Sequence, residues 1–122
     1  MAQQILLVDD ESSMLALISI ILKRGGYATL EAHDAFAALE MLDAAKPDLI
    51  VLDVMMPNMN GIELCRRIRI RPDTARTPIL IVSAKSDADS MRLGIRAGAN
   101  DYLPKEELYP ALLSRVRSLL DA

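Results

Sequence analysis

Short apolar runs alternate along the chain with stretches whose apolar residues recur at helical spacing. Three of these runs are almost entirely apolar: residues 5–8 (ILLV), 49–53 (LIVLD) and 79–83 (ILIVS). Apolar runs of this length predict strands buried on both faces, as is typical of parallel sheets covered by helices. Residues 27–32 (YATLEA) are more mixed in polarity and predict an edge strand, and residues 101–105 (DYLPK) predict a short last strand.

A predicted helix follows each strand. The first ends at the glycine pair 25–26, and Asp34 can cap the second. Pro110 is tolerable only near the start of the last helix, where its missing N–H has no helical partner. These five strand-then-helix units predict an α/β fold with a parallel sheet and helices on both of its faces.

The third and fourth helices carry less regular patterns. Residues 66–71 (RRIRIR) are strongly basic, and we expect them to form a solvated helix face rather than a nucleic-acid contact. Ser86 or Asp87 can cap the fourth helix, whose apolar residues include Met91 and Ile95. No internal repeat or linker interrupts the pattern, so we expect a single domain over residues 1–122.

Composition narrows the function classes. The net charge of −3 argues against a general nucleic-acid binder, which would usually be basic. Cys65 is the one cysteine of the sequence, so no internal disulfide can form, as expected in a reducing compartment. The sequence shows neither a signal peptide nor an apolar run of the ~20 residues that a membrane span needs. A cytoplasmic protein is the resulting expectation.

Polar side chains collect where the predicted strands end. Asp9 and Asp10 follow the first strand, Asp53 and Ser83 end the third and fourth, and Lys105 ends the last. In open parallel sheets, ligands bind beyond the carboxyl ends of the strands. Three carboxylates gathered there need a cation to offset their repulsion, and ligand sets made of oxygen atoms favour Mg²⁺.

Four motifs together carry a family resemblance: LLVDDE, LIVLDVMMPNMNG, ILIVSA and AGANDYLPK. In this order and on these elements they make the chain resemble, over essentially its whole length, the receiver domain of two-component response regulators. The resemblance implies a flavodoxin-like, doubly wound five-stranded parallel sheet in the order 2-1-3-4-5, with five helices. It also implies a phosphorelay signalling module that is not an enzyme, although it promotes its own phosphorylation and dephosphorylation.

The same resemblance implies a role for each polar residue at the strand ends. Asp53 matches the phosphoacceptor, which receives a phosphoryl group from a histidine kinase or a histidine phosphotransfer protein. Asp10, Asp53 and the main-chain carbonyl of Met55 match the ligands of Mg²⁺, or of Mn²⁺ in its place, and Asp9 matches the acid that reaches the metal, often through water. Ser83 and Lys105 match the groups that bind the phosphoryl oxygens.

A switch and its output are implied as well. Ser83 and Tyr102 match the hydroxyl and the aromatic ring that rearrange on phosphorylation, which repacks the face made by helix 4, strand 5 and helix 5. That face is expected to bind a downstream protein, with a phosphorylation-dependent dimer as a further outcome and no contact with nucleic acid or membrane. Met55 and Lys85 match the positions that flank the attacking water and tune hydrolysis.

One departure from the family concerns the loop after the lysine. The family commonly has proline directly after this lysine, whereas here Glu106 follows Lys105 and Pro104 precedes it. The geometry of the loop into the last helix is therefore open. The negative charges of Glu106 and Glu107 would be favourable near the start of that helix.

Two other functions compete with a phosphoacceptor receiver. A degenerate receiver would bind proteins without phosphorylation, but the complete set of polar residues at the strand ends argues against it. A small α/β enzyme, such as a phosphatase, would need a cap or a further acid that no segment is long enough to supply. A flavin carrier would need a hydroxyl-rich phosphate loop where this chain has Asp9, Asp10 and Glu11, and no glycine-rich nucleotide motif is present.

Overall fold

The strands and helices alternate along the chain as the apolar pattern predicts. A computed structural model describes residues 2–121. Its strands are β1 (Gln4–Val8), β2 (Ala28–Ala32), β3 (Leu49–Leu52), β4 (Ile79–Ser83) and β5 (Asp101–Pro104). Its helices are α1 (Ser12–Arg24), α2 (Ala35–Ala44), α3 (Gly61–Ile70), α4 (Ala88–Ala97) and α5 (Leu108–Asp121), with a 3₁₀ turn at Lys105–Glu107.

All neighbouring strands pair in parallel, in the order β2-β1-β3-β4-β5. The flavodoxin-like order implied by the sequence is therefore confirmed, and the mixed-polarity strand lies at the edge as expected. The register aligns the carboxyl ends, because Val8 pairs with Leu52 and Ser83 pairs with Pro104. The residues that follow these pairs, Asp9 with Asp53 and then Lys105, consequently emerge at one edge of the sheet.

Successive side chains of the central strands enter two separate cores. Leu6, Ile50 and Ile81 pack beneath α2, α3 and α4, whereas Leu7 and Val51 pack beneath α1 and α5. These five side chains are at most 2% exposed, and full burial of an aliphatic side chain contributes about 1.5–3 kcal/mol. Burial on both faces explains why these strands lack polar alternation.

Side-chain caps fix the starts of three helices. Asp34, as predicted, accepts a hydrogen bond from the backbone N–H of Ala37 at 2.7 Å. Asp87, rather than Ser86, caps α4 by accepting from the N–H of Ser90 at 3.1 Å. Asn60 caps α3, so the loop after β3 ends in a defined helix start beside the residues of interest.

The last strand is one residue shorter than the sequence predicts, and the last helix begins irregularly. β5 ends at Pro104, because Lys105 already belongs to the 3₁₀ turn that also holds the two glutamates. Tyr109, just before Pro110, has non-helical backbone angles within the first turn of α5. Among the described residues, no helix is both long and apolar enough to cross a membrane.

The expectation for the basic run 66–71 holds only in part. Arg66 and Arg67 are exposed as predicted. Arg69 is only partly exposed, and its guanidinium donates hydrogen bonds to the carbonyls of Gly98 (2.9 Å) and Thr77 (2.6 Å) and to Oδ1 of Asn100 (2.8 Å). Its long side chain therefore fastens α3 to the turn between α4 and β5 instead of entering solvent.

Candidate functional site

Three carboxylates meet at the carboxyl edge of the sheet. Asp9 and Asp10 follow β1, and Asp53 follows β3. Each offers one carboxylate oxygen, and these oxygens lie within 4.8 Å of one another. Asp9 and Asp53 are each 3% exposed, whereas Asp10 faces solvent. The cluster thus has two buried members and one that is open to an approaching ion.

Local hydrogen bonds orient the two buried carboxylates. Oδ1 of Asp9 accepts from the backbone N–H of Glu11 at 3.0 Å, and Oδ1 of Asp53 accepts from the N–H of Met55 at 3.3 Å. The N–H of Asp53 in turn donates to the carbonyl of Val8 at 3.0 Å, which continues the pairing of β1 and β3. Each carboxylate therefore keeps its second oxygen, Oδ2, free for other partners.

Gly61 brings the start of α3 against the backbone of Asp53. A Cβ atom at this position would lie 2.0 Å from the carbonyl oxygen of Asp53 and 2.8 Å from its carbonyl carbon. The N–H of Gly61 donates to the carbonyl of Val54 at 2.9 Å, which closes the loop after β3. Only glycine permits this approach, because the atoms it would meet are backbone. Gly61 ends the motif LIVLDVMMPNMNG, but the sequence pattern does not predict this packing role.

Lys105 joins the acidic residues of the cluster. Its ammonium lies 3.1 Å from Oδ2 of Asp53, 3.3 Å from Oδ2 of Asp9 and 3.2 Å from Oε1 of Glu11. Burial opposes the charge on this amine, but the hydrogen bond to Asp53 and the charges of Asp53 and Asp9 outweigh it, so the pKa of Lys105 is raised. The lysine remains a cation across the physiological range. Glu11 ends the motif LLVDDE, and the sequence pattern does not predict its contact with Lys105.

The electrostatics of Asp9 differ from those of an ordinary ion pair. Burial of its carboxyl group raises the pKa of Asp9, and the negative charge of Asp53 adds to this effect. The N–H of Glu11 and the charge of Lys105 act in the opposite direction and are too weak to cancel it. One ammonium group therefore does not fully compensate the acids around it, and a second cation would be stabilised here.

The ligand atoms in the cluster fit a hard divalent ion. All three candidate donors are carboxylate oxygens, the type that Mg²⁺ and Mn²⁺ prefer, and the donor set contains no imidazole or thiolate. Asp10, Met55 and Lys85 line an open cleft beside the cluster. The side chain of Met55 is 55% exposed there, so both predicted hydrolysis-tuning residues border the approach to the acids.

A second group of predicted residues lies at the end of β4. Ser83 is fully buried, and its Oγ accepts a hydrogen bond from the backbone N–H of Lys85 at 3.1 Å. Tyr102 is 3% exposed, and its hydroxyl donates to the main-chain carbonyl of Lys85. Burial raises the pKa of the Tyr102 phenol, against the effect of a hydrogen bond involving Ser83. The structure thus links the two predicted switch residues through one loop residue.

The chain resembles receiver domains in both sequence and structure. The sequence model of the response regulator receiver domain family matches residues 5–117. The response regulator MprA of Mycobacterium ulcerans (strain Agy99) is 42% identical over 120 residues, which are 98% of this chain and 51% of that protein. The chain therefore spans about half the length of the curated relatives that it matches.

Solved structures agree with this similarity over the full chain. A protein of Chloroflexus aurantiacus J-10-fl, described as a response regulator, superposes with a TM-score of 0.96 at 33% identity, covering 100% of both chains. The BeF₃-activated receiver domain of DrrB superposes with a TM-score of 0.88 at 32% identity, again covering 100% of both chains.

Proposed function

Because the chain belongs to the response regulator receiver domain family, we propose that it accepts a phosphoryl group on Asp53 from a phosphohistidine. A receiver of a two-component system implies a histidine kinase as a partner, and a histidine phosphotransfer protein could serve as an alternative donor. The observation that carries the proposal is the buried carboxylate of Asp53, oriented by the N–H of Met55 and bound by Lys105 within a cluster of acids.

In the proposed reaction an oxygen of the Asp53 carboxylate attacks the phosphorus atom. A P–O bond forms while the P–N bond to the donor histidine breaks, and the imidazole nitrogen keeps the electron pair of that bond. Lys105 is already bound to the carboxylate, so it is in place to neutralise negative charge that gathers on the phosphoryl oxygens. A carboxylate nucleophile has no proton to lose, so the proposed step needs no general base.

Asp9, Asp10, Asp53 and the main-chain carbonyl of Met55 are the residues that we propose hold Mg²⁺, or Mn²⁺ in its place. When bound, the ion offsets the repulsion between the acids and the incoming phosphoryl oxygens. The support is the shared location of three carboxylate oxygens and the raised pKa of Asp9. Asp10, the exposed member, keeps this edge of the sheet open to the donor protein.

We propose that Ser83, together with Lys105, binds the phosphoryl oxygens, and that Ser83 and Tyr102 form the switch. The hydroxyl of Ser83 can donate a hydrogen bond to a phosphoryl oxygen. Because Oγ of Ser83 also accepts from the N–H of Lys85, a movement of Ser83 toward the phosphoryl group would pull the loop at Lys85 with it. Tyr102 is bound to the same loop residue. Phosphorylation would thus favour one packing of β4, α4 and β5 over another by a population shift.

The protein is a signalling module in this account, and its own groups control both gain and loss of the phosphoryl group. Met55 and Lys85 border the cleft beside the acids, where they are proposed to tune hydrolysis. The face formed by α4, β5 and α5 is the proposed site of the downstream protein and of any phosphorylation-dependent dimer. We further propose that residues 1–122 form one receiver unit, that it binds neither nucleic acid nor membrane, and that it acts in the cytoplasm, since its free cysteine fits a reducing compartment.

The direct test is incubation with acetyl phosphate in the presence of Mg²⁺, followed by intact mass spectrometry. The proposal expects a mass gain of one phosphoryl group that needs the metal and disappears in the Asp53→Asn variant. Asp48→Asn is the matched control, because Asp48 is an acid at the opposite end of the sheet that caps the N–H of Gln4. A wild-type protein that gains no mass would favour a receiver that binds proteins without phosphorylation.

A further inference from the structure

Helix α4 meets the sheet through small residues. Its buried positions are Ser90, Gly94 and Ala97, while the larger Leu93 and Ile95 are each 48% exposed. Glycine inside a helix destabilises it relative to alanine, because the glycine backbone loses more conformational freedom on folding. The helical conformation of α4 does not require glycine at position 94, so its presence indicates a packing constraint.

The packing constraint at Gly94 is the aromatic ring of Tyr102. A Cβ atom at position 94 would lie 2.9 Å from Cδ2 and 3.1 Å from Cε2 of that ring, and 2.8 Å from Cδ1 of Ile81. Carbon atoms that are not bonded pack at about 3.5–4.0 Å. Cδ1 of Ile81 ends a flexible side chain and can turn away, but the two ring carbons can move only with the whole ring.

The other end of the same ring is also fixed. The hydroxyl of Tyr102 donates to the carbonyl of Lys85, whose N–H donates to Oγ of Ser83. The buried ring therefore spans from the loop after Ser83 to the backbone of α4 at Gly94. If either contact is lost, this orientation of the ring loses part of its support.

We propose that Gly94 is a positioning residue for the switch, whose missing side chain lets the ring of Tyr102 lie against α4 while the Lys85 loop stays bound to Ser83. This inference rests on the proposed function and deepens it, because it names the residue that permits the buried orientation of the ring. A side chain at position 94 would favour conformations with the ring displaced. Fewer molecules would then have the ring in the buried orientation, and a phosphoryl group that favours this orientation would bind more weakly.

The experiment compares the wild-type chain with Gly94→Ala, using beryllofluoride as the probe at saturating Mg²⁺. Beryllofluoride affinity is expected to fall by about fivefold or more, the low end of ordinary coupling between sites, whereas Mg²⁺ affinity measured alone stays unchanged. In protein labelled with 3-fluorotyrosine, the ¹⁹F resonance of Tyr102 should move toward that of Tyr109, which is 80% exposed. Tyr102→Phe assigns the resonance.

Two further variants separate the ring from other effects. In the Tyr102→Ala background there is no ring to displace, so Gly94→Ala should leave beryllofluoride affinity unchanged and raise the melting temperature through helix propensity. Gly94→Ala combined with Ile81→Val removes the Cδ1 contact and should still show the weakened affinity. If Gly94→Ala alone does not fold, rescue of folding by Tyr102→Ala supports the inference, and failure in both backgrounds overturns it.

The inference is overturned if Gly94→Ala binds beryllofluoride like the wild type with an unmoved Tyr102 resonance, or if Ile81→Val restores the lost affinity. Failure of the proposed function has a different signature, because the wild-type chain itself would then bind no beryllofluoride. In that case the ¹⁹F position of Tyr102 in Gly94→Ala still decides whether the glycine holds the ring.

Discussion

The ammonium nitrogen of Lys105 lies 3.1 Å from Oδ2 of Asp53, across 52 residues of sequence. The pair connects the ends of β5 and β3, which are separated in the sheet by β4. Asp53 therefore lies buried with a cation on one oxygen and a backbone N–H on the other. Both oxygens of this buried side chain are therefore held in a fixed orientation at the carboxyl edge of the sheet.

The first prediction concerns Asp9, whose replacement should change both the thermal stability of the protein and its affinity for Mg²⁺. Burial raises the pKa of Asp9 in the folded state, so its contribution to stability is fully present below its unfolded pKa and is lost as the pH rises through the folded value. At pH 7 without divalent ions, Asp9→Asn should raise the melting temperature by a few degrees, since about 1 kcal/mol shifts a domain of this size by ~4 °C.

The gain from Asp9→Asn should shrink as the pH is lowered toward 4 and should reverse in saturating Mg²⁺, because the variant binds the ion more weakly. Thermal denaturation at several pH values, with and without Mg²⁺, measures both effects. A variant that is less stable than the wild type at pH 7 without metal would contradict the view that the acid cluster is under-compensated.

The second prediction concerns the cation of the cluster. Lys105→Met removes the ammonium that lies between Asp9 and Asp53 and leaves two buried carboxylates without it. Stability without divalent ions should fall by about 3 kcal/mol, the usual cost of breaking a buried pair. Urea denaturation should show that Mg²⁺ stabilises this variant more than the wild type, since the ion supplies the missing positive charge. Equal stabilisation of both proteins would argue against a shared site.

The third prediction concerns Gly61. Gly61→Ala would place Cβ 2.0 Å from the carbonyl oxygen of Asp53, so the backbone of either α3 or β3 must move. We expect a loss of about 3 kcal/mol or more in the free energy of unfolding, with weaker Mg²⁺ binding. The matched control is Gly26→Ala, where no atom lies within 4 Å and the positive φ of +95° alone should cost about 1 kcal/mol.

The fourth prediction concerns the lifetime of the phosphoryl group. Met55 places an exposed apolar side chain at the cleft beside the acids, where it should hinder the attacking water. Met55→Asn should shorten the lifetime of phosphorylated Asp53, by roughly tenfold if the side chain alters the barrier by about 1.4 kcal/mol. Loss of the label after removal of acetyl phosphate gives the rate. An unchanged lifetime would remove this role, and Met41→Asn, in the last turn of α2, tests for a general effect of the substitution.

The sequence predicts the sheet and the acid cluster well, but it does not predict the buried face of α4 or the hydrogen bonds of Arg69. Uninterrupted apolar runs locate the strands, and parallel pairing then brings Asp9, Asp53 and Lys105 to one edge. The pattern of apolar residues predicts that Ile95 faces the core, because glycine has no apolar side chain. In the structure Gly94 is buried and Ile95 is 48% exposed. The bonds of Arg69 also depend on carbonyls that only tertiary packing assembles.

Chemical trapping of the phosphorylated residue tests the central claim most directly. Borohydride reduces an aspartyl phosphate to homoserine, and peptide mass spectrometry then locates the modified position. After treatment with acetyl phosphate and Mg²⁺, we predict homoserine at position 53 and none when the metal is omitted. Homoserine at another aspartate, or its absence from the metal-treated protein, would contradict the assignment of Asp53 as the phosphoacceptor.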